Sequence, residues 1–418
     1  MVMDKKQIAI IGAGVSGLTA CKHCLSKGFN PIVFEAESQV GGVWTKTIRT
    51  TRLQLPREMY QFSDFPWPPS VTDTFPTQQQ VLDYARSYAT HFNLIPHINF
   101  NSRVKGMSYD GPSSDTWSLW NGTGEAFPPE GKWNVTVENT QTGTTKVYTV
   151  DFVILCLGRF RDVPNMPKFP EGKGPEVFQG QAIHSMEYSA MDNNKAAELV
   201  KGKKVVVVGF GKTGLDIARE CASVNGPEHP CTIVYRRDHW KMGSWFPLGI
   251  PLMNLISGRF HNTQIEADIV IFATGFNGPK KLKDIFESPA FGHFIEGPPL
   301  VGLYRESIPP RIPQVAIVGF SEGLSSLYVA ESTSRWLVAL LEGKFKLPST
   351  KEMEKDVARC ATFRKQICGE CYHSPVLCGV EIWYNDQICK DMGMNPMRKK
   401  GLFPNLFEPY GPRDYAEI

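Results

Sequence analysis

The chain has no long apolar run. The nearest, Phe246 to Ile256, is short and interrupted by Pro247 and Pro251, so no integral membrane segment is expected. It has no strong charge of either sign. Lys and Arg number 45 against 42 Asp and Glu, and the net charge of +3 over 418 residues gives no argument for a nucleic-acid partner. No charged leader with an apolar stretch precedes the strand-like residues that begin at Gln7, so no secretory signal is read and the expected location is cytoplasmic. Ten cysteines in that setting read as reduced thiols. Two pairs have CxxC spacing. Cys21/Cys24 falls on an expected helix and reads as packing. Cys368/Cys371, with His373 and Cys378 nearby, lacks the second half-site of a zinc ribbon or finger, so no metal site is assigned.

What is present is a repeat. Hydrophobic residues make up 42% of the chain, enough for a sizeable core, and the length suits two to three domains. The first cycle opens with an apolar strand from Gln7 that runs into Gly12, Ala13, Gly14, Val15, Ser16 and Gly17, with a helix from Leu18. Gly12 suits a tight turn, Gly14 a close backbone approach to a pyrophosphate, and Gly17 close packing of helix on strand. The free N–H groups at the helix start meet phosphate charge. A second strand, Pro31 to Phe34, ends at Glu35, at the spacing of a carboxylate that contacts an adenosine ribose. The cycle closes with a hairpin, Trp133 to Glu138 and Thr145 to Val150, and a buried strand from Asp151 to Gly158.

The second cycle repeats the pattern. Lys203 to Val208 is a strand, Gly209, Phe210, Gly211, Lys212, Thr213 and Gly214 form the loop, and a helix follows. The next strand, Cys231 to Tyr235, ends at Arg236 and Arg237. Arginine there can pair with the 2′-phosphate of NADP, which a carboxylate would repel. Ala267 to Gly275 echoes Asp151 to Gly158. A last strand, Pro313 to Gly319, precedes a helix over Ser325 to Leu341. The fold class is α/β, with two Rossmann-like dinucleotide-binding domains. The expected division is 1–175 for the first part of the first dinucleotide domain, 176–264 for the second, and 265–418 for the strand that closes the second cycle and the C-terminal region.

The two cycles differ in length. Gly12 to Gly158 spans 146 positions and Gly209 to Gly275 only 66. Pro247 to Phe260 passes almost directly into Gln264 to Asp268, with no hairpin before the closing strand. The NADPH domain therefore reads as truncated.

Between the cycles, Phe178-Gln-Gly-Gln-Ala-Ile-His-Ser-Met-Glu-Tyr188 resembles the FxGxxxHxxx(Y/F) signature of class B flavoprotein monooxygenases, the flavin-containing monooxygenase family. Gly41 to Trp44, Ser63 to Trp67, Ala273 to Phe276 and the tail through Arg398-Lys-Lys-Gly and Phe407-Glu-Pro-Tyr-Gly411 are also similar. The tail and Ser63 to Pro68 resemble most the plant clade that contains pipecolate N-hydroxylase. The resemblance covers nearly the whole chain and implies FAD and NADPH as cofactors. It implies that Glu35 holds the adenosine ribose, that Gly42, Val43 and Trp44 line the flavin side, and that Val104 offers backbone to the adenine. Gln54 stands where the family often carries an asparagine beside the flavin, and its amide acts from one methylene further out.

The implied reaction inserts one oxygen of O2 into a nucleophilic nitrogen or sulfur of a small molecule by way of a flavin C4a-hydroperoxide. Amine or amino-acid N-hydroxylation is the expected case. The cofactor carries the chemistry, so no triad or metal is needed, and His184 and His239 read as positioning residues more than as acids or bases. One alternative is an FAD-binding but catalytically impaired truncated isoform or pseudoenzyme. Another is a pyridine-nucleotide disulfide reductase, which needs a cysteine pair facing the flavin; Cys21/Cys24 lies on the wrong element.

Overall fold

The computed structural model describes residues 5–235, 265–295, 302–321, 323, 325–368, 380–408 and 410–415. Arg236, Arg237, His239, the Phe246–Ile256 run, Phe260, Gln264, Cys371, His373 and Cys378 lie outside these residues.

Twelve strands are described: β1 (Gln7–Ile11), β2 (Asn30–Phe34), β3 (Ile98–Asn99), β4 (Ser102–Asp110), β5 (Lys132–Asn139), β6 (Thr145–Val150), β7 (Phe152–Leu155), β8 (Gln181–His184), β9 (Val205–Val208), β10 (Thr232–Val234), β11 (Ile269–Phe272) and β12 (Val315–Ile317). The helices are α1 (Val15–Ser26), α2 (Gln78–His91), α3 (Ser185–Ala190), α4 (Asn193–Val200), α5 (Lys212–Asn225), α6 (Gly278–Lys283), α7 (Pro289–Ile295), α8 (Ser326–Leu341), α9 (Thr350–Cys368), α10 (Glu381–Asp391) and α11 (Leu402–Phe407).

The strands form two parallel sheets and an antiparallel meander, β4-β5-β6. The first parallel sheet has the order β12-β7-β1-β2-β3 and the second β10-β9-β11-β8. Both are α/β crossover sheets, as the glycine loops require. The central strands are unbroken apolar runs, Ile8–Ile11 in β1 and Phe152–Leu155 in β7, because helices or the meander cover both faces. The expected hairpin forms in register, Trp133 opposite Val150 and Glu138 opposite Thr145.

The four strands of the second sheet each have a counterpart in the first. β9, β10 and β11 occupy the places of β1, β2 and β7. β12 pairs with β7 in the first sheet, so the chain does return to its first domain after the second cycle. The equivalent edge of the second sheet is filled by β8, which precedes its cycle. Among the described residues the second sheet has no counterpart of β3 and ends on β10, whose three residues are half-buried. In each sheet the chain direction of winding reverses beside the first strand, and the crevice at the strand C-termini there is where such sheets take ligands.

One core cluster packs α1, α2 and α8 on one face of the first sheet. A second lies between its other face and the meander, and a third fills the second module. Helix α8 is buried from Leu327 to Leu341. It therefore carries its polar residues internally paired: Arg335 meets Glu331 at 3.1 Å, and both hydrogen-bond Ser63. Ile48 of the first module joins the third cluster, so the modules share apolar packing.

Candidate nucleotide sites

The two glycine loops have the same construction. Gly12 has φ +105, and a Cβ on it would lie 2.6 Å from the Cys156 carbonyl oxygen; a Cβ on Gly17 would lie 1.8 Å from the Gly12 oxygen. These two are required by the protein's own packing. Gly14 is not. Its φ of −75 and ψ of −177 suit any residue, and a Cβ there would meet only the Gly42 backbone, Cα at an ordinary 3.4 Å and N at 3.8 Å. The second loop repeats this. Gly209 (φ +127) and Gly214 are closed off, at 2.3 Å from the Ala273 oxygen and 2.4 Å from the Gly209 oxygen, whereas a Cβ on Gly211 would meet nothing within 4 Å. At both helix starts no side chain caps the free N–H groups, and no acidic residue occupies the first turn. An open floor of bare backbone beneath uncapped N–H donors fits a pyrophosphate.

Around the first loop, the residues expected to hold a flavin nucleotide come together. Glu35 is buried at the end of β2 and accepts hydrogen bonds from the N–H groups of Ala13 at 2.7 Å and Glu37 at 2.9 Å. Each carboxylate oxygen keeps acceptor capacity for a ribose hydroxyl. Gly41 N–H donates to the Ala13 carbonyl at 3.0 Å, which brings Gly42 opposite Gly14. The short helical turn Gly42–Lys46 then leaves Val43 exposed and turns Trp44 inward, where its Nε1 donates to the Tyr60 hydroxyl at 3.2 Å. Arg161 holds this turn from across the site, donating to the Gly42 carbonyl at 3.1 Å and to Glu37 Oε1 at 2.7 Å. Burial works to raise the Glu37 carboxyl, but Lys46 and Arg161 outweigh it and hold the group below its ordinary value. Val104 is half-buried in β4 where the ladder to β5 slips one residue past Lys105. Val15 and Ser16 begin α1.

Gln54 is exposed, on a turn between two tethered points, Leu53 N–H to the Pro76 carbonyl and Arg57 N–H to that of Thr74. The residues just before it reach the second module. Thr50 Oγ1 donates to Glu220 at 3.2 Å and Thr51 Oγ1 to Asp216 at 2.8 Å, both on α5. Burial raises the pKa of Glu220. In the second loop Lys212 pairs with Asp216, and Phe210 stacks on Tyr235 with centroids 4.5 Å apart. Thr213 is half-buried at the start of α5.

The segment from Phe178 to Tyr188 is a joint. A Cβ on Gly180 would fall 2.2 Å from the Asp268 carbonyl oxygen, where β8 meets β11. His184 Nδ1 accepts from Met186 N–H at 3.1 Å, so Nε2 carries the proton and donates to the Gly275 carbonyl at 3.1 Å. The imidazole is buried and both nitrogens are engaged, which is a positioning role. The reductase reading loses its cysteines: Cys21 and Cys24 are fully buried in the first core, and burial pushes the Cys21 thiol up to about 12. Among the described residues no cluster of His, Cys, Asp and Glu could hold a metal ion.

Two contributors were not foreseen. Arg161 follows the closing strand without any local motif. Gly319 has φ +75 and abuts α1, since a Cβ there would sit 1.9 Å from Ser16 Oγ. A signal for it existed, because a glycine follows shortly after β12, as Gly158 follows β7 and Gly275 follows β11.

The flavin-binding monooxygenase-like family model matches residues 5–266 and 257–403, two stretches that meet at 257–266. A probable flavin-containing monooxygenase 1 of Arabidopsis thaliana is 33% identical, over 99% of this chain and 96% of the relative. A putative flavin-containing monooxygenase 2 of the same plant is 36% identical, over 93% and 98%. The structure of S-allyl-L-cysteine S-oxygenase from Allium sativum superposes with a TM-score of 0.70 at 21% identity, covering 94% of this chain and 90% of that one. The first alignment extends over 522 positions, more than the 418 residues here, so about a hundred positions of that relative have no counterpart.

Proposed function

This chain belongs to the flavin-binding monooxygenase-like family, and from that premise we propose that it is an FAD- and NADPH-dependent N-oxygenase of a small amine or amino acid. The enzyme class is that of the flavin-dependent monooxygenases. When bound, the flavin takes a hydride from NADPH and activates O2. The protein supplies position, dryness and hydrogen bonds. The Gly12–Gly17 loop and the start of α1 bind the FAD pyrophosphate, Glu35 takes the ribose, and Gly42, Val43 and Trp44 shape the flavin side under the hold of Arg161. Gln54 would offer its amide beside the reacting edge of the flavin. The Gly209–Gly214 loop takes the NADPH pyrophosphate, and Arg236 and Arg237 take the 2′-phosphate.

The observation that carries this reading is the pair of middle glycines. Gly14 and Gly211 are the loop glycines that the protein's own packing does not require, so each is explained by a ligand that needs bare backbone. The finer choice of nitrogen over sulfur rests on the Ser63 to Pro68 segment and the C-terminal tail. Purified protein is expected to be yellow, to bleach with NADPH and to reoxidise in air. Arg236→Ala with Arg237→Ala is expected to weaken NADPH far more than NADH in anaerobic flavin reduction. A panel of amines, amino acids and thioethers, read as oxygenated product by mass spectrometry, decides the substrate class; product from thioethers alone would replace the nitrogen assignment.

The alternative is a flavin-binding protein with impaired catalysis. It is supported by the short second cycle, by the meeting of the family matches at 257–266, and by a second sheet that ends on β10 among the described residues. It predicts full flavin content with little NADPH binding, and hydrogen peroxide in place of product. Comparison with a variant carrying a family-length insert after Phe260 separates the two.

A further inference from the structure

Helix α11 is docked inside out. Its large apolar side chains, Leu402, Phe403, Leu406 and Phe407, fall on one side of the helix and are 67%, 68%, 58% and 69% exposed. The opposite side carries Asn405, which anchors the helix to the protein. Its Nδ2 donates to the Lys399 carbonyl at 2.6 Å, its Oδ1 accepts from Lys399 N–H at 3.0 Å, and the Tyr410 hydroxyl meets the same Oδ1. A surface helix of a water-soluble domain normally packs the other way round. Phe403 and Phe407 lie together, centroids 4.9 Å apart, with Met397 53% exposed shortly before them in the chain.

The flanks are basic. Arg398, Lys399 and Lys400 precede the helix and Arg413 follows it, against Glu408 and Asp414. Lys399 is paired with Asp414 at 3.3 Å, while Lys400 and Arg413 are exposed.

We propose that α11 is a peripheral anchor that inserts Leu402, Phe403, Leu406 and Phe407 into an anionic lipid surface, with Lys400 and Arg413 at the headgroups. Two observations favour lipid over a second copy of the chain. The exposed patch is on the order of 500 Å², taking about 200 Å² for each side chain, short of the roughly 800 Å² per partner of a stable protein interface. A two-fold pairing through this patch would also set the same basic cluster against itself. A shallow apolar wedge with a basic rim suits the headgroup boundary. No described helix is long and apolar enough to cross a membrane, so attachment here is to one surface. The proposal is independent of the enzymatic reading.

The test is co-sedimentation of the full chain with vesicles of phosphatidylcholine alone or with a third phosphatidylserine. Binding is expected with the anionic vesicles and is expected to fall with added salt. Phe403→Ser with Phe407→Ser should lower the partition coefficient about a hundredfold, roughly tenfold for each aromatic withdrawn. Lys400→Glu with Arg413→Glu should lower it on anionic vesicles only, and both variants should keep the wild-type melting temperature. Absence of sedimentation with either vesicle overturns the proposal, as does binding that the serine variant leaves unchanged. A dimer in light scattering that the serine variant dissolves, with no vesicle binding, assigns the patch to self-association instead.

Discussion

Replacing Gly14 and Gly17 separately by alanine distinguishes a ligand-imposed glycine from a packing-imposed one. In Gly17→Ala the new Cβ lies 1.8 Å from the Gly12 carbonyl oxygen. Since Cβ atoms do not approach below 3.0 Å, α1 must move from β1 by more than an ångström, against a contact built of backbone. Overpacking of that kind costs about 1–3 kcal/mol or more. In Gly14→Ala the new methyl meets Gly42 Cα at 3.4 Å, an ordinary contact, in a backbone conformation open to any residue. Alanine is a poorer N-cap than glycine by roughly 0.5–1 kcal/mol, and the stiffer unfolded chain returns about 0.4–1 kcal/mol. The stability of the flavin-free protein should therefore change by less than ~0.5 kcal/mol. The same methyl stands on the floor that a pyrophosphate must approach. Loss of two charge-assisted N–H contacts at about 1.5–3 kcal/mol each lowers flavin affinity at least a hundredfold. The assay pairs guanidinium unfolding of flavin-stripped protein with flavin titration by fluorescence quenching. The expected result is a split: Gly14→Ala stable and colourless, Gly17→Ala unstable whatever its flavin content. A Gly14→Ala protein that retains wild-type flavin affinity would refute the assignment of the trough, and equal stability losses in the two variants would refute the packing argument.

The second loop should behave in parallel: Gly211→Ala keeps its fold and flavin but loses NADP+ binding at least a hundredfold by titration calorimetry, whereas Gly214→Ala melts earlier; unchanged NADP+ binding in Gly211→Ala would remove the second site. Glu331→Leu removes the carboxylate 3.1 Å from the buried Arg335 guanidinium, which still donates to the Tyr415 carbonyl at 3.0 Å and the Ser63 hydroxyl at 2.6 Å, and should cost about 3 kcal/mol in chemical denaturation, the low end for breaking a buried pair; a loss under ~1 kcal/mol would show that the pair is dispensable. Burial, opposed by the Gly275 carbonyl and Glu187, lowers the pKa of His184. The unfolded chain, at about 6.5, then binds the proton more readily than the folded one. The stability this group contributes is full above about pH 6.5 and is lost as pH falls toward the folded value. Urea midpoints of wild type and His184→Ala should thus converge on acidification, and parallel curves would exclude the histidine as their cause.

The sequence by itself determined the two strand–glycine–helix units, the hairpin, the carboxylate at the end of β2 and which loop glycines the turn itself requires. Each is a local pattern: an apolar strand, a turn only glycine can make and a helix start lie within a dozen residues, and the steric rules for that crossover act within the same span. The short distance from Gly209 to Gly275 was equally legible, because counting needs no fold. Tertiary structure decided the rest. Strands of three or four apolar residues carry no address for a partner, so only the folded chain shows β12 beside β7, 162 residues back, and β8 on the matching edge of the second sheet. That pairing is what sets Gly319 against Ser16 and completes the first site. Thr50 and Thr51 look like ordinary loop residues until α5 lies against them. Helix α11 is the clearest case. Its sequence presents an apolar side that the usual rule would place inward, but in the folded chain Asn405 bonds Lys399 and Tyr410 on either side of the helix and the apolar side is largely exposed.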